Sequence, residues 1–130
     1  SKLNRYKLDN KTINLINIDY HPSHAFEKIS NKSNIFIEKS FKLAFEILKK
    51  YKISKFINGP ISKKSFLNKK FLGITEYISK KFKTKKTCML IYNKDLSVCP
   101  ITTHMPLKLV AKKISKKAII EKVSLISSFY

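Results

Sequence analysis

Two short stretches of this sequence contain residue types that could bind an anion or a metal ion. Residues 72–77 read LGITEY and place Gly73 directly before a Thr-Glu pair that can open a helix. Residues 99–114 read CPITTHMPLKLVAKKI and place His104 between an apolar run and a proline. Backbone N–H groups at a helix start bind phosphate or carboxylate, and imidazole is a common metal ligand. We therefore take Thr75 and His104 as candidate ligand-binding residues.

A third stretch of similar character is NGPISKKS, at residues 58–65. Gly59 would permit close backbone approach, Ser62 offers a hydroxyl, and two lysines could meet an anion. Each of the three signals is weak when taken alone. A capped helix explains Thr75 about as well as a ligand does, and an isolated histidine is more often structural than metal-bound.

The elements that must position these residues follow from the hydrophobic pattern. Alternating or β-branched residues predict strands over residues 12–19 and 53–61, and two more within residues 87–104 about an Asn93-Lys94-Asp95 turn. Apolar residues at helical spacing predict helices over residues 33–52, 63–71, 75–83, 106–114 and 116–129. The residues expected at helix starts are Ser33 or Asn34, Ser62, Thr75 and Pro106.

The order of these elements predicts an α/β fold, a three-layer-type sheet with flanking helices and a β-hairpin. We find no internal repeat, linker or domain boundary, so we expect residues 1–130 to form a single partial domain. In open α/β sheets, ligands collect beyond the C-terminal ends of strands, near helix N-termini. The three candidate stretches fall at such places.

Net charge is +20, which points first to nucleic acid as a partner. All but one of the 28 basic residues are lysines, however, and they are scattered along the chain. Bidentate phosphate contacts and base readout favour arginine, so we favour a lysine-rich solvated surface and regard nucleic acid as the weaker alternative. No apolar run is long enough to cross a bilayer, and we expect a cytoplasmic protein without a membrane partner.

Cys88 and Cys99 have neither Cys-x-x-Cys spacing nor nearby histidines suited to zinc. They flank the predicted hairpin and could lie near one another across it. In a chain without secretory features we expect both to be reduced and buried, with a disulfide as the less favoured alternative. His21 and His24 are expected to be solvated loop residues rather than a metal-binding pair.

The order and spacing of these stretches resemble the 4-hydroxythreonine-4-phosphate dehydrogenase family of vitamin B6 biosynthesis. The resemblance runs from about residue 30 to the C-terminus. It is most specific over residues 58–113, where INGPISKKSFLNKKFLGITEYISKKF and LSVCPITTHMPLKLVAKKI both fit. It implies part of a two-lobed α/β fold related to isocitrate and isopropylmalate dehydrogenases, acting as a homodimer in the full-length protein.

This resemblance also implies an activity. Such enzymes are oxidoreductases that use NAD to oxidise 4-phosphohydroxythreonine, with loss of carbon dioxide, on the way to pyridoxal phosphate. A divalent metal ion (Zn, Mg or Co) would orient the substrate and stabilise the negative oxygen that develops. By this analogy Thr75 contacts the substrate and His104 is one of three histidine metal ligands. No catalytic residue is assigned.

Two departures from the family pattern qualify this expectation. Ile74 stands where the family has a histidine, and loss of a charge-assisted hydrogen bond costs about 1.5–3 kcal/mol. Family members are also much longer, so we expect a fragment that is inactive alone. The alternatives are a relative acting on another phosphorylated hydroxy acid, a basic nucleic-acid-binding protein, and a non-catalytic dimerisation module whose final helix exposes an apolar face.

Overall fold

Helices account for the regular secondary structure of residues 11–68 and 70–130, the part of the chain that the computed structural model describes. The chain divides into two units, residues 1–61 and 62–130. In the first unit a 3₁₀ turn, Asn31–Ser33, leads into helix α1, Asn34–Lys50. The second unit contains a π-helical turn, Lys63–Leu67, and the helices α2, Ile74–Phe82, α3, Leu107–Lys113, and α4, Lys116–Ser127.

Helix α1 carries the core of the first unit. Phe41 and Phe45 lie one turn apart and are only 5% and 6% exposed, and the ring of Phe56 lies 5.9 Å from each of them. The prediction of a helix over residues 33–52 is therefore confirmed. Ser33 occupies the N-cap position but makes no capping hydrogen bond there. The preceding 3₁₀ turn is capped instead by Ser30, whose hydroxyl accepts the Lys32 N–H at 3.3 Å.

The core of the second unit forms around the start of α2. Leu67 and Tyr77 are buried, and the rings of Phe66 and Phe71 each lie 5.4 Å from the Tyr77 ring in edge-on geometry. Such edge-to-face pairs stabilise a core beyond the area they bury. Ser62 caps the Lys63–Leu67 turn as predicted, since its hydroxyl accepts the Ser65 N–H at 3.3 Å.

Two predicted helix boundaries are shifted. The helix predicted over residues 63–71 is shorter, because Asn68 adopts the left-handed conformation and ends it, and residue 69 lies outside the described residues. Thr75 was predicted as the cap of α2, but the N-cap is Gly73, two residues earlier, so that prediction is wrong.

Helices α3 and α4 follow one another with a short break between them. Pro106 stands at the N-cap of α3 rather than inside its first turn. Its missing N–H costs nothing there, since the first amides of a helix have no intrahelical partner. Ser115 starts α4, and its hydroxyl accepts the Ala118 N–H at 3.2 Å. Both predicted helices are confirmed.

The predicted sheet is absent from the described residues, so the expectation of a three-layer-type α/β fold is wrong for this structure. No strand forms among them, and a single isolated antiparallel bridge joins Ile91 and Val98. Two backbone hydrogen bonds of 2.8 and 2.9 Å make up that bridge. The predicted turn is confirmed, because the Asp95 N–H donates to the Asn93 side-chain oxygen at 2.9 Å.

Proline limits the growth of the hairpin. Counting outward from the Ile91–Val98 pair, the next pair that would exchange backbone hydrogen bonds joins Met89 and Pro100. Pro100 has no N–H to give, so the ladder cannot continue through that position. The sequence pattern predicted the turn and the facing residues but overestimated the length of the pairing.

The other two predicted strands have no regular secondary structure and no neighbouring strand in the described part of the chain. In residues 12–19, Ile13 and Leu15 are 95% and 84% exposed, and asparagine side chains make local hydrogen bonds. In residues 53–61 the Phe56 ring packs against Phe41 and Phe45 of α1. An alternating pattern predicts a half-buried strand, but a strand exists only where a neighbour satisfies its backbone N–H and C=O groups.

Much apolar surface remains uncovered in both units. The buried hydrophobic residues among those described are Phe41, Phe45, Leu67 and Tyr77. On α4, Ile119, Ile120 and Val123 are 41%, 53% and 58% exposed, which gives the final helix the exposed apolar side chains that a dimerisation module would require. None of the helices in the described residues has the length and apolar composition needed to cross a bilayer.

Candidate functional site

The start of α2 places Gly73 and Thr75 at the positive end of a helix. Gly73 is buried and extended, with φ −162° and ψ −178°, and a Cβ added to it would lie 3.0 Å from a Glu76 carboxylate oxygen. The close contact at Gly73 therefore comes from the chain's own Glu76 side chain. Glu76 thus sets its own negative charge beside the helix start, where the helix dipole favours an anion. Thr75 is half-buried in the first turn.

His104 lies in the connection between the hairpin and α3. Its side chain is exposed, so the imidazole is open to solvent and to a ligand rather than enclosed in apolar packing. Its backbone adopts the left-handed conformation with φ 53°, a region that histidine tolerates better than bulky or β-branched residues. Pro106 follows two residues later and starts α3. The His104 ring therefore projects from a sharp turn immediately before a helix.

The structure does not bring Thr75 and His104 together through helix packing. The main packing partner of α2 is the Lys63–Leu67 turn, and α3 does not pack against α2 to the same extent. A pocket shared by the two side chains therefore stays a prediction, as do their separate roles in binding substrate and metal.

The Asn58–Gly59 stretch differs from the expectation for it. A Cβ at Gly59 would meet nothing within 4 Å in the described residues, so no close approach requires the glycine there. Asn58 donates its side-chain amide to the Gly59 carbonyl at 2.9 Å, and the Ser62 hydroxyl is used as a helix cap. Lys63 is exposed. The Asn58 amide and the Ser62 hydroxyl thus both have hydrogen-bond partners within the chain.

A metal ion would need more donors than the described residues supply in one place. Among them, no three His, Cys, Asp or Glu side chains are grouped closely enough to hold a metal ion. Zinc in a catalytic site takes three protein ligands, and Mg²⁺ takes several oxygen donors. His104 can serve as one ligand, but this part of the chain does not fit a complete metal centre.

The sequence did not predict a polar cleft that lies between α1 and the loop preceding it. A cavity of about 330 Å³ is lined by acidic, basic and aromatic side chains, among them Tyr20, His21, Glu27, Lys32 and Lys39. Spacing could not indicate this cleft, because its residues come from an irregular loop and from one face of a helix. His21 and His24 are both exposed, as predicted for solvated loop residues.

The Glu27 carboxylate organises the loop in that cleft. The Tyr20 hydroxyl donates to Glu27 Oε1 at 2.5 Å, and the Ser23 N–H donates to Glu27 Oε2 at 3.2 Å. These hydrogen bonds hold the pKa of Glu27 below its usual value, the Tyr20 bond contributing most. The same bond raises the pKa of Tyr20. The Tyr20 ring lies 5.0 Å from that of Phe36, which joins the loop to α1.

The two cysteines lie on the two arms of the hairpin. Both are free in the structure and half-buried, which corrects the expectation that they would be buried; their reduced state stays a prediction. Burial is the main factor that raises the pKa of the Cys99 thiol; the neighbouring Cys88 also raises it, whereas the Lys122 ammonium opposes the change. Lys122 also donates a hydrogen bond to the Thr87 carbonyl, which joins α4 to this arm of the hairpin.

Lysines are spread along the whole described part of the chain. All four helices carry several of them, and some also pack on aromatic rings: the ammonium groups of Lys80 and Lys81 lie 5.5 Å and 5.4 Å from the ring centres of Phe71 and Tyr77. A cation over an aromatic face is favourable, and these two lysines also lie in the last turn of α2, where the dipole favours positive charge. Part of the charge therefore stabilises the fold.

Comparison with known proteins gives a consistent result. A family model described as pyridoxal phosphate biosynthetic protein PdxA matches residues 2–130. A 4-hydroxythreonine-4-phosphate dehydrogenase from Sulfurihydrogenibium sp. (strain YO3AOP1) is 34% identical over 117 residues, which cover 88% of this chain and 35% of that protein.

Two further relatives share shorter regions. The 4-hydroxythreonine-4-phosphate dehydrogenases of Aquifex aeolicus (strain VF5) and Neisseria meningitidis (serogroup A, serotype 4A, strain DSM 15465 / Z2491) are 43% and 45% identical over 54 and 49 residues. These regions cover 42% and 38% of this chain, and 17% and 15% of the two relatives. The chain thus spans about a third or less of the curated relatives it matches. No solved structure gives a significant match.

Proposed function

Because the chain belongs to the family of the pyridoxal phosphate biosynthetic protein PdxA, we propose that it is a substrate-binding segment of a 4-hydroxythreonine-4-phosphate dehydrogenase. The observation that carries this proposal is the family match over residues 2–130. The chain corresponds to about a third of its Sulfurihydrogenibium relative, so the complete reaction belongs to a longer polypeptide or assembly.

Within this proposal the start of α2 binds the phosphorylated substrate. Gly73 gives an approach to the backbone N–H groups of the first turn, and the Thr75 hydroxyl donates to a substrate oxygen. Glu76 already places a carboxylate beside Gly73, so an incoming anion must displace or rearrange that side chain. Binding should therefore be weak in the chain alone.

The cofactors of the proposal come from the family resemblance. NAD would accept the hydride, and a divalent metal would polarise the substrate oxygens. His104 would supply one metal ligand. One imidazole is too few for a catalytic metal site, so the remaining donors would come from outside the described residues. A homodimer and a cytoplasmic location belong to the same proposal. We accordingly expect the isolated 130-residue chain to show no NAD-dependent turnover.

Ile74 favours a second candidate function within the same family. An isoleucine side chain has no hydrogen-bonding group, and here it forms the first residue of α2. A substrate whose recognition does not need a donor at that position would suit this chain better. A relative acting on a different phosphorylated hydroxy acid is therefore the alternative, and a substrate screen with Ile74→His as the comparison separates the two.

The proposal can be tested by titrating the full chain with 4-phosphohydroxythreonine and following amide shifts by NMR. We expect saturable binding that moves the amides of Gly73 and Thr75. Thr75→Ala should weaken it about tenfold or more, because a hydrogen bond to a charged group is lost. Thr84→Ala, in the loop after α2, is the matched control and should bind as the original chain does.

Two results would contradict the proposal. One is the absence of saturable binding, and the other is equal weakening by Thr75→Ala and Thr84→Ala. Reduction of NAD by the purified chain with the same substrate would instead support the dehydrogenase activity and overturn the expected inactivity of the fragment.

A further inference from the structure

A cavity of about 280 Å³ lies between the segment that enters the hairpin and helix α4. The entering segment lines it with Lys85, Lys86 and Thr87, which end a lysine-rich run of the sequence. The middle of α4 supplies the other wall, formed by Ile120, Glu121, Lys122, Ser124 and Leu125. The fold thus brings lysines from two distant parts of the sequence to one cavity.

Lys122 is held at this cavity by a hydrogen bond. Its ammonium group donates to the Thr87 carbonyl, and its side chain is half-buried. An ammonium group has three N–H donors, so two remain for a ligand. Because the side chain is already held, binding an anion there costs less rotamer freedom than ordering a solvated lysine would.

The lining carries an excess of positive charge. Three of its residues are lysines and one is a glutamate, which gives it a formal net charge of +2. Lys85 and Lys86 are exposed, and neither ammonium group has a hydrogen-bond or ion-pair partner among residues 11–68 and 70–130. Thr87 and Ser124 each add a hydroxyl group that can donate to an oxyanion. This set of groups favours a ligand with two negative charges and several acceptor oxygens.

A phosphate monoester has these properties. It carries a charge of about −1.5 to −2 at pH 7 and three strong acceptor oxygens. A carboxylate or one phosphodiester group of a nucleic acid carries a single negative charge and matches the lining less well. Lysine binds phosphate as a point charge, so the bidentate geometry of arginine is not required. Ile120 and Leu125 line the same cavity and offer apolar contact to the organic part of such an ester.

We propose that the cavity between residues 85–87 and α4 is a binding site for small phosphate monoesters that carry an apolar organic group. The inference is independent of the proposed substrate site at the start of α2, which consists of other residues. It rests on the three lysines that line one cavity, on the hydrogen bond that holds Lys122 there, and on the apolar residues of the same wall.

The test uses phenyl phosphate, which joins one dianionic phosphate group to one apolar ring. The full 130-residue chain is titrated at constant ionic strength, and amide shifts are followed by NMR. We expect saturable binding that moves the amides of Thr87, Lys122 and Ser124. Benzenesulfonate, with the same ring and a single negative charge, should bind about tenfold more weakly. Inorganic phosphate should also bind more weakly, because it has no ring to bury.

Two double variants that lose the same charge give a matched comparison. Lys85→Gln with Lys86→Gln removes two ammonium groups from the cavity and should weaken the binding of phenyl phosphate about tenfold or more. Lys112→Gln with Lys113→Gln removes an adjacent pair at the end of α3, outside the cavity lining, and should bind as the original chain does. All four lysines are exposed, so we expect both variants to fold.

Several results would overturn the proposal. Equal weakening by the two double variants would show that only the net charge of the chain matters. Benzenesulfonate or inorganic phosphate binding as tightly as phenyl phosphate would contradict the assigned ligand class. Amide shifts confined to Gly73 and Thr75 would assign the phosphate to the proposed substrate site instead. Tighter binding of a single-stranded oligonucleotide, weakened alike by both double variants, would show a general attraction for polyanions.

Discussion

The Glu27 carboxylate shows how one side chain orders an irregular segment. It accepts hydrogen bonds from the Tyr20 hydroxyl and from the Ser23 N–H, and so it closes the loop that precedes α1. Hydrogen bonds to the charged form lower a carboxyl pKa. Because the folded pKa lies below its usual value, this contribution to stability is present above the unfolded pKa and is lost as pH falls through the folded pKa.

Replacing Tyr20 with phenylalanine should raise the pKa of Glu27 towards its usual value. The Tyr20 hydroxyl is the largest cause of the lowered pKa, and Tyr20→Phe removes it while leaving the ring packed on Phe36. Carboxyl carbon shifts followed by NMR over an acid titration measure the change. Tyr51→Phe, at the end of α1, should leave the Glu27 titration as it was. An unchanged pKa in Tyr20→Phe would contradict this account.

At the scale of the element, the backbone conformation of an N-cap serine decides whether its hydroxyl caps the helix. Ser115 and Ser33 occupy the same N-cap position in α4 and α1, but only Ser115 makes the capping hydrogen bond. The difference follows from the backbone. Ser115 is extended at φ −145°, which directs its hydroxyl to the Ala118 N–H, whereas Ser33 already has helical angles within the 3₁₀ turn.

The two serines form a matched pair of test positions. Ser115→Ala should lower the local stability of α4 by about 1 kcal/mol, because the Ala118 N–H loses its partner. Ser33→Ala should change α1 by no more than about 0.5 kcal/mol. Hydrogen exchange of the first-turn amides in each helix measures both effects. Equal losses at the two positions would show that the Ser115 hydrogen bond has no special role.

The hairpin gives a second prediction at the element scale. Pro100→Val supplies the missing N–H and a residue with high strand propensity, so we expect one further antiparallel pair between positions 89 and 100. Slower amide exchange at position 100 and a cross-strand contact in NMR would report it. Pro22→Val, in the loop before α1, is the control and should leave the hairpin unchanged. An unprotected amide at position 100 would mean that another feature limits the ladder.

At the scale of the whole molecule, few large side chains hold each unit together. Phe41 and Phe45 in one unit, and Leu67 and Tyr77 in the other, are the buried hydrophobic residues among those described, while many apolar side chains remain exposed. Folding free energies are a small difference between large terms, typically about 5–15 kcal/mol. Removal of one of these few anchors should therefore have a large effect.

Phe41→Ala should cost about 3–5 kcal/mol, because it leaves a cavity between Phe45 and Phe56. Phe26→Ala makes the same chemical change at a fully exposed ring and should cost no more than about 0.5 kcal/mol. Urea unfolding followed by far-ultraviolet circular dichroism compares the two variants. Similar midpoints for both would show that the aromatic cluster on α1 does not hold the first unit together.

Local features of the sequence were sufficient to predict the helices, the Asn93–Asp95 turn and the family. Apolar residues around Phe41 and Phe45 recur at the 3.6-residue spacing of a helix. The prolines and serines at helix starts also act within one or two turns of chain. Both signals can therefore be recognised in the sequence before the fold is known. The motifs around Gly73 and His104 likewise identified the family that the match over residues 2–130 establishes.

Tertiary structure alone decided which segments pair and which loop closes on Glu27. Pairing depends on a second segment being present alongside and on every backbone N–H being available. Pro100 lacks the N–H, and residues 12–19 have no neighbouring strand among the described residues. The Ile91–Val98 bridge and the Tyr20–Glu27 hydrogen bond join residues farther apart in the chain than one helical turn. Alternation and propensity describe a single segment, whereas these contacts depend on where the chain places two segments in space.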